Sequence, residues 1–402
     1  MRAESPLGPF VYLDHLATTP ADPRVVEAMR PWLSERFGHP ASRSHRLGWE
    51  AEEAVEAARA RVADLLKVEP REIVFTSGGT EADNLAVKGV ADAYGARGRH
   101  VVTTAVENRP VLDSCRWLEE TRAFAVTRVP CSFTGRVSAE NVAAALREGT
   151  ILVCVQAANQ ETGTTQPIAE IAAACAGRNL LVHVDATFAG GWLELDPRRD
   201  GVHLMSLSAN KLGGPKGAGA LYVRRKDPRV RLAPQLHGGS HERGLRAGTV
   251  DVAGAVGFGV AASIVRETRE AAAATVRRLR DRLEAAVLER VPEASVHGDR
   301  EHRLPNVTNL SFAGVEAESL LMGMQDVAAA AGAGCTSALV EPSYVFEAMG
   351  LAADVAARSV RFSLGRSTTR EEIDFAIERI VATVAKVRAL GAPPIPVARR
   401  KP

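Results

Sequence analysis

The 402-residue chain is poor in cysteine, in unbalanced charge and in long apolar runs. Its five cysteines are scattered and include no Cys-x-x-Cys pair, which excludes a disulfide framework and gives no zinc motif. Lys and Arg number 50 against 48 Asp and Glu, so a formal charge of +2 gives no global field for nucleic acid. The longest uncharged stretches have 14 residues, fewer than the ~20 that span a bilayer. We expect no metal, no membrane segment and no direct contact with nucleic acid.

The N-terminus also lacks the apolar core of a secretory signal, because Glu4 and Pro6 stand where that core would lie. Together with the few cysteines, this predicts a cytoplasmic protein. Hydrophobic residues make up 46% and charged residues 24%, as is usual for soluble globular proteins. The length is two to three times the ~150-residue prior for one domain, so two domains are expected.

Short apolar runs alternate with helical patterns in the first half of the chain. Strands that are separated by helices need crossover connections, which favour an α/β fold with a mostly parallel sheet covered on both faces. Ligands of such sheets bind at the carboxyl ends of the strands. We predict strands at 72–76, 100–104, 151–156 and 180–184, and helices at 49–66, 80–94, 110–120, 139–146 and 168–176.

The second half of the chain continues with a different order of elements. A strand or strand pair is predicted at 216–223, followed by a long helix from about 250 to 290. Segments 302–311, 360–363 and 370–390 then suggest a smaller α+β unit.

A glycine-rich turn, Ser77-Gly78-Gly79-Thr80, follows the first of these strands. Glycines allow close approach, and a helix N-terminus supplies free amide donors, so the turn has the form of a phosphate cradle. The alternative is a tight strand-to-helix turn with Thr80 as the helix N-cap. It is not a Walker loop, because no Gly-Lys-Ser/Thr sequence follows.

Two further groups follow later strands. Asp185 ends the strand predicted at 180–184, and Lys211 stands 26 residues further on, after the apolar stretch 202–207. Pyridoxal phosphate requires an amine for a Schiff base, an anion for its pyridinium nitrogen and donors for its phosphate. The cradle, Asp185 and Lys211 occur in an order that predicts a pyridoxal 5'-phosphate enzyme.

The sequence resembles cysteine desulfurases of the class V aminotransferase family, in the subgroup typified by the housekeeping iron–sulfur cluster desulfurase. The resemblance extends from Tyr12 to about Leu390. It implies a fold-type I enzyme with a seven-stranded type of sheet, a large cofactor domain at 16–262 and a small domain made of 1–15 and 263–402. It also implies a homodimer. The matching motifs lie at 17–20, 40–45, 75–81, 183–187, 214–217, 238–249, 335–337, 341–344 and 361–366.

The resemblance also implies roles around the cofactor. Lys211 would carry the Schiff base, and Asp185 would pair with the pyridinium nitrogen. Thr80 beside Gly79, Ser208, and Thr249 of the partner subunit would bind the phosphate.

For the substrate, L-cysteine, the resemblance implies three residues. Asn159 would lie near the cofactor hydroxyl and the substrate carboxylate, and Arg361 would clamp that carboxylate as a planar bidentate donor. A structural salt bridge is the alternative for Arg361. Cys335, in a glycine- and alanine-rich segment, would take the sulfur as a persulfide and pass it to an acceptor protein, and its thiolate is the competent form. The other four cysteines are expected to be packed within helices or strands.

Several positions around the cofactor depart from the family pattern. Asn108 replaces a histidine that usually stacks on the pyridine ring and is proposed to act as an acid or base, and an amide does not titrate near neutral pH. Phe188 replaces a glutamine that donates to the cofactor hydroxyl, and Asn210 replaces the histidine before Lys211. Leu16 places an apolar group near the expected substrate entrance.

These departures leave three hypotheses. The leading one is a slower or specialised desulfurase that serves a dedicated sulfur pathway. The second is a class V lyase, epimerase or aminotransferase-like enzyme with a different amino-acid substrate, against which Cys335 argues. The third is a weakly active scaffold in a sulfur-transfer complex, against which Lys211 and Asp185 argue.

Overall fold

A computed structural model describes residues 10–331 and 343–391 of the chain. The predicted persulfide carrier Cys335 therefore lies outside the described residues. The helices are α1 Pro23–Ser34, α2 Arg46–Leu66, α3 Gly79–Tyr94, α4 Arg109–Arg122, α5 Ala139–Ala145, α6 Ile168–Cys175, α7 Val252–Arg290, α8 Ala317–Gly323, α9 Tyr344–Ala348, α10 Ala353–Ala357 and α11 Arg370–Ala389. The strands are β1 Val11–Tyr12, β2 Ile73–Thr76, β3 His100–Thr104, β4 Ala125–Val129, β5 Thr150–Gln156, β6 Leu181–Asp185, β7 Leu204–Ser208, β8 Gly219–Val223, β9 Ala294–His297, β10 Val307–Phe312, β11 Val327–Ala328, β12 Ala330–Ala331 and β13 Ser359–Ser363.

The largest sheet has seven strands in the order β2-β8-β7-β6-β5-β3-β4. Strand β8 is antiparallel to both of its neighbours, and the other pairs are parallel. Because β2 and β7 both oppose β8, all strands except β8 run in the same direction. The predicted α/β class with a mostly parallel sheet is confirmed.

The sheet is buried on both faces, because successive side chains of each central strand enter opposite cores. In β6, Leu181 belongs to the core that includes α3 and α4, whereas Val182 and Val184 belong to the core that includes α6 and α7. Two-sided burial explains why β5 and β6 consist of nearly continuous apolar residues. Gln156 and Asp185, the last residues of β5 and β6, place polar groups at the edge where the site lies, and His183 is the one polar residue inside β6.

A second sheet is antiparallel, with the order β12-β13-β10-β9. Strand β1 pairs in parallel with β11, so the N-terminal segment joins the C-terminal part of the chain, as the proposed domain division requires. Helix α7 is continuous for 39 residues and contacts α2 at one end and β9 and β10 at the other. The predicted boundary between residues 262 and 263 falls inside this helix.

Two local predictions are wrong. Helix α3 begins at Gly79 with Gly78 as its N-cap residue, so Thr80 is not the cap. Cys131 is half-buried in the loop after β4, whereas Cys115, Cys154 and Cys175 are buried in α4, β5 and α6 as expected.

Over residues 10–331 and 343–391, no helix combines the length and the apolar character needed to cross a membrane.

Candidate active site

The glycine-rich turn and Ser208 are brought together by the register of the sheet. Thr76, the last residue of β2, pairs with Gly219, and Gly219 pairs on its other side with Ser208, the last residue of β7. Because β2 and β7 run in the same direction, the turn after β2 and the segment that carries Lys211 emerge at one edge. The structure thus places these predicted site residues side by side.

The two glycines of the turn are favoured for different reasons, Gly78 by its backbone conformation and Gly79 by close packing. Gly78 has φ +156°, and a Cβ at Gly79 would stand 2.5 Å from Thr187 Oγ1. A Cβ at Gly219 would likewise stand 2.5 Å from the Cα of Gly78. Thr80 follows in the first turn of α3 with an exposed side chain. The backbone can therefore approach an anion at the positive end of α3, a helix long enough to have a substantial dipole.

Asp185 is buried at the end of β6 and accepts two hydrogen bonds. Thr187 N donates to its Oδ1 at 2.8 Å, and Asn108 Nδ2 donates to its Oδ2 at 2.8 Å. Burial first, and then the charge of the nearby Asp83, raise the pKa of this carboxyl to about 6. A bound cation such as a pyridinium would oppose both effects.

Lys211 lies in a 3₁₀ turn, Ala209–Leu212, directly after β7. Its Nζ donates to the carbonyl oxygens of Leu16 at 2.6 Å and Ala17 at 2.5 Å, and lies 5.3 Å from the ring centroid of Phe188. Burial, followed by the charge of Arg361, lowers the pKa of the amine to about 8. Much more of it is therefore uncharged near neutral pH than of an ordinary lysine, as an amine nucleophile requires.

Ser208 and Asn210, which precede Lys211, contact each other, whereas Thr249 lies elsewhere along the chain. Ser208 Oγ donates to Asn210 Oδ1 at 2.8 Å, so the asparagine before Lys211 is held by the candidate phosphate ligand. Thr249 is exposed, and its Oγ1 is 3.3 Å from His39 Nε2. Thr249 and Ser77 of the same chain line a small cavity of about 100 Å³.

Arg361 extends from β13 of the second sheet towards the same site. Its Nη2 lies 2.7 Å from Oδ1 of Asp14, and its Nη1 donates to the carbonyl oxygen of Gln160 at 2.9 Å. The predicted alternative, a salt bridge, is therefore present, but the pair is not sealed off, since both side chains retain some exposure. The influence of Arg361 and Asp14 on the pKa of Lys211 places all three in one electrostatic site.

Asn159 lies at the wall of the site, but its carboxamide serves the chain itself. Its Oδ1 accepts hydrogen bonds from the backbone of Glu161 at 2.9 Å and Thr162 at 3.0 Å, and its Nδ2 donates to Val106 O at 3.1 Å. The side chain is 1% exposed. The next residue, Gln160, is only half-buried, and its Nε2 donates to the hydroxyl of Tyr344 at 2.8 Å.

Sequence reasoning missed Glu107, a buried acid behind these residues. Glu107, beside Asn108, accepts hydrogen bonds from Gln156 N at 2.9 Å and from Thr104 Oγ1 at 3.1 Å. Burial, and then the charge of Asp185, raises its pKa well above the usual range of a glutamate. The sequence signal for Glu107 was its place next to Asn108, a position that departs from the family pattern.

These residues satisfy the requirements of pyridoxal phosphate on structural grounds. A half-buried amine with a lowered pKa faces a site that also contains a buried carboxylate and a glycine cradle at a helix N-terminus. Thr187 Oγ1 is buried without a hydrogen-bond partner in the described structure, which leaves a donor free beside the cradle. The fold and the site thus define an α/β enzyme of the kind that binds pyridoxal phosphate.

Comparison with known proteins identifies the family. The model of the class V aminotransferases matches residues 11–375, and the chain belongs to that family. It is 49% identical over 383 residues to a cysteine desulfurase IscS from Klebsiella pneumoniae, covering 95% of this chain and 94% of that protein. Similar solved structures include a NifS-like protein (TM-score 0.87, 34% identity, 94% of this chain and 100% of that one) and SspA in complex with cysteine (TM-score 0.79, 33% identity, 89% and 100%). The resemblance drawn from the motifs is confirmed.

Proposed function

We propose that the protein is a pyridoxal phosphate-dependent cysteine desulfurase that converts L-cysteine into L-alanine and captures the sulfur as a persulfide on Cys335. The main support is its similarity, over 95% of its length, to a protein named as a cysteine desulfurase. The reaction balances, because the sulfur of L-cysteine joins the thiol of Cys335 to give R–S–SH, and the substrate carbon that loses it gains a proton.

The chain's own residues would hold the cofactor at the edge of the large sheet. Lys211 would bind its aldehyde carbon, Asp185 its ring nitrogen, and Gly79, Thr80 and Ser208 its phosphate. When bound, the cofactor supplies an electron sink that allows bonds at the substrate's α-carbon to break. The Asn108 amide would keep the Asp185 carboxylate oriented, and Phe188 would present an apolar ring close to Lys211.

Arg361 would bind the carboxylate of L-cysteine. Asp14 and the Gln160 carbonyl already orient the guanidinium, and a substrate carboxylate would add a second anion to it. We propose that Gln160, which is half-buried beside Arg361, takes the substrate-facing place predicted for Asn159, whereas Asn159 shapes the turn. A solved structure similar to this chain is named as a complex with cysteine, which supports this substrate class.

We also propose a homodimer. Helices α1 and α2 and the loop between them expose large apolar side chains at Val26, Leu33, Phe37 and Trp49, and Phe37 and Leu33 are 73% and 70% exposed. Covering such side chains with a second copy would remove them from water. Thr249 is exposed and would reach the partner's phosphate.

The wider role follows from the same chemistry. A persulfide must be passed on, so we propose a sulfur-acceptor protein as partner, either in iron–sulfur cluster assembly or in a dedicated sulfur pathway. We further propose a cytoplasmic location and a division into a large domain, 16–262, and a small domain, 1–15 with 263–402.

One observation favours a second candidate, a class V enzyme such as a lyase, epimerase or aminotransferase acting on another amino acid. Asn108 contacts Asp185 with a group that does not exchange protons near neutral pH. The weakly active scaffold has less support, because Lys211 and Asp185 retain the pKa shifts and contacts of a working site.

The test is incubation of the purified protein with L-cysteine, with measurement of alanine and of the extra sulfur atom on Cys335 by mass spectrometry. We expect equal initial amounts of both, and Cys335→Ser should abolish alanine release. Cys131→Ser is the matched control and should retain it. Alanine release that survives Cys335→Ser would contradict the persulfide route, and turnover of another amino acid alone would favour the second candidate.

A further inference from the structure

The outer edge of β2 is covered by side chains rather than by another described strand. Strand β2 lies at the end of the seven-stranded sheet, with β8 on its inner side. On its outer side, Phe75 N donates to Glu242 Oε2 at 2.8 Å. The carbonyl oxygen of Ile73 accepts hydrogen bonds from Arg59 Nη1 at 2.9 Å and Arg243 Nη1 at 3.0 Å. The polar backbone groups of an edge strand are thus satisfied by charged side chains.

Arg59 and Glu242 form a bidentate ion pair that we call the edge pair. Arg59 Nη1 lies 2.7 Å from Glu242 Oε2, and Arg59 Nη2 lies 2.8 Å from Oε1. Their side chains are 4% and 2% exposed, although Arg59 comes from α2 and Glu242 from a turn 183 residues further along the chain. A buried pair of this kind leaves an uncompensated charge in the interior if one partner is removed.

The turn that carries Glu242 has an unusual backbone. Residues His241–Gly244 form a 3₁₀ turn in which Glu242 has φ 46° and Arg243 has φ 58°, both in the left-handed region that favours glycine. Two successive non-glycine residues hold this conformation only if the surroundings stabilise it. The edge pair and the bond from Arg243 to Ile73 provide that stabilisation, so the position of the turn depends on β2.

The edge pair therefore connects two parts of the proposed phosphate site. Two residues beyond Phe75, β2 has ended and the cradle Ser77-Gly78-Gly79 begins. Seven residues beyond Glu242 lies Thr249, and between them Arg246 pairs with Glu81 of α3 at 2.9 Å. Both connections are short, so the pair sets where Thr249 stands relative to the cradle of its own chain.

We propose that Arg59 and Glu242 are positioning residues for the phosphate end of the cofactor site. In a two-fold dimer, each cradle binds its own cofactor while each Thr249 reaches the partner's, so the pair sets the spacing of the two sites. This inference rests on the proposed function, since it needs a phosphorylated cofactor and the dimer. Neither residue contacts the ligand, and both act through Phe75, the cradle and Thr249.

The test compares two ligands of the full chain that differ only in the phosphate. Protein stripped of cofactor is titrated with pyridoxal 5'-phosphate and with pyridoxal, and the ratio of the two dissociation constants measures the contribution of the phosphate. Glu242→Gln and Arg59→Lys should reduce the preference for the phosphorylated form by about tenfold or more. Glu242→Asp keeps the charge, is milder if the other variants fold poorly, and should give a smaller loss in the same direction.

A matched control is the ion pair of Glu284 with Arg303, which is 2.7 Å long and similarly buried but lies outside the large sheet. Glu284→Gln should lower the melting temperature and leave the phosphate preference unchanged. The inference is overturned if the three edge-pair variants lose thermal stability, as Glu284→Gln does, but keep the wild-type preference. If the wild-type chain binds neither ligand, the proposed function fails instead.

Discussion

Asn108 donates a 2.8 Å hydrogen bond to Asp185, so the residue that replaces the family's usual histidine contacts the carboxylate expected to serve the cofactor ring. The amide holds this carboxylate by a hydrogen bond, but unlike a histidine it does not exchange a proton near neutral pH. The departure at Asn108 therefore removes a candidate acid or base while keeping a donor in place.

The double variant Asn108→His with Phe188→Gln should raise the rate of alanine formation from L-cysteine by about tenfold or more. A histidine at this position titrates near neutral pH and restores proton transfer, which typically contributes on the order of a hundredfold or more. The measurement is kcat as a function of pH, and the double variant should gain a dependence near pH 6 to 7. Asn108→Gln with Phe188→Gln, which adds no titrating group, is the control. Equal rates for both double variants would indicate that the natural substrate is not cysteine.

Lys211 should determine the pH dependence of cofactor capture. Its pKa of about 8 means that the free amine is a minor species at pH 6 and the major one at pH 9. The rate at which stripped protein develops a visible absorption band with pyridoxal 5'-phosphate should rise about tenfold per pH unit and level off above about pH 8. Lys211→Ala should give no band, and the exposed Lys226→Ala should behave as wild type. A rate that still rises steeply at pH 9 to 10 would show that the pKa is not lowered.

Glu161 should make the protein less stable as the pH rises from about 4.5 to 7. It is buried, accepts a hydrogen bond from Ser343 Oγ, and burial raises its pKa from 4.5 to about 7. Between these two pH values, the folded state binds a proton that the unfolded state has lost. The resulting loss in the free energy of unfolding is absent below about pH 4.5, grows up to about pH 7 and is constant above it. Glu161→Gln should gain stability relative to wild type over this range, by up to about 3 kcal/mol.

The measurement for Glu161 is urea unfolding of both proteins at pH 5 and pH 8. Because all other titrating groups are common to the two proteins, they largely cancel in the comparison. A difference in free energy of unfolding that does not change with pH would show that this carboxyl ionises normally.

The proposed dimer can be tested by mixing two inactive variants. In a mixed dimer of a Lys211→Ala subunit and a Thr249→Ala subunit, one of the two sites is intact. It combines Lys211 of the Thr249→Ala subunit with Thr249 of the Lys211→Ala subunit. If Thr249 acts across the interface, unfolding and refolding the two together should restore part of the activity, up to about half of the sites in mixed dimers. The readout is alanine release from L-cysteine. No recovery, despite mixed dimers detected by mass spectrometry, would mean that Thr249 serves its own chain.

The sequence predicted most strands of the central sheet because they are buried on both faces, although β7 was recognised only as the apolar stretch 202–207. The strand predicted at 100–104 agrees with β3, and the limits of β2, β5 and β6 differ from prediction by one residue. Strand β4 was missed, because it lies at the sheet edge and four of its five residues are partly or fully exposed, so no apolar run marks it. Helix α1 was also missed, although Asp22 caps it and Pro23 stands at its first position.

The site was less predictable than the sheet, because its contacts join distant parts of the chain. Glycines and charged groups at strand ends indicated Lys211, Asp185 and the cradle. The partner of Arg361 is Asp14, 347 residues away, and no local pattern could pair them. The different contacts of Asn159 and Gln160 depend on the direction of each side chain within one tight turn, which residue type alone does not specify.

The stretch from Val11 to Ala17 contacts both Lys211 and Arg361. It pairs with β11, contacts the guanidinium of Arg361 through Asp14, and accepts the amine of Lys211 at the carbonyl oxygens of Leu16 and Ala17. Lys211 follows a strand of the large sheet and Arg361 lies in a strand of the second sheet, yet the same few peptide units set the distance between their side chains. In the proposed site, these seven residues would therefore set the space for a substrate between Lys211 and Arg361, and lengthening or shortening the stretch would move its contacts to both side chains at once.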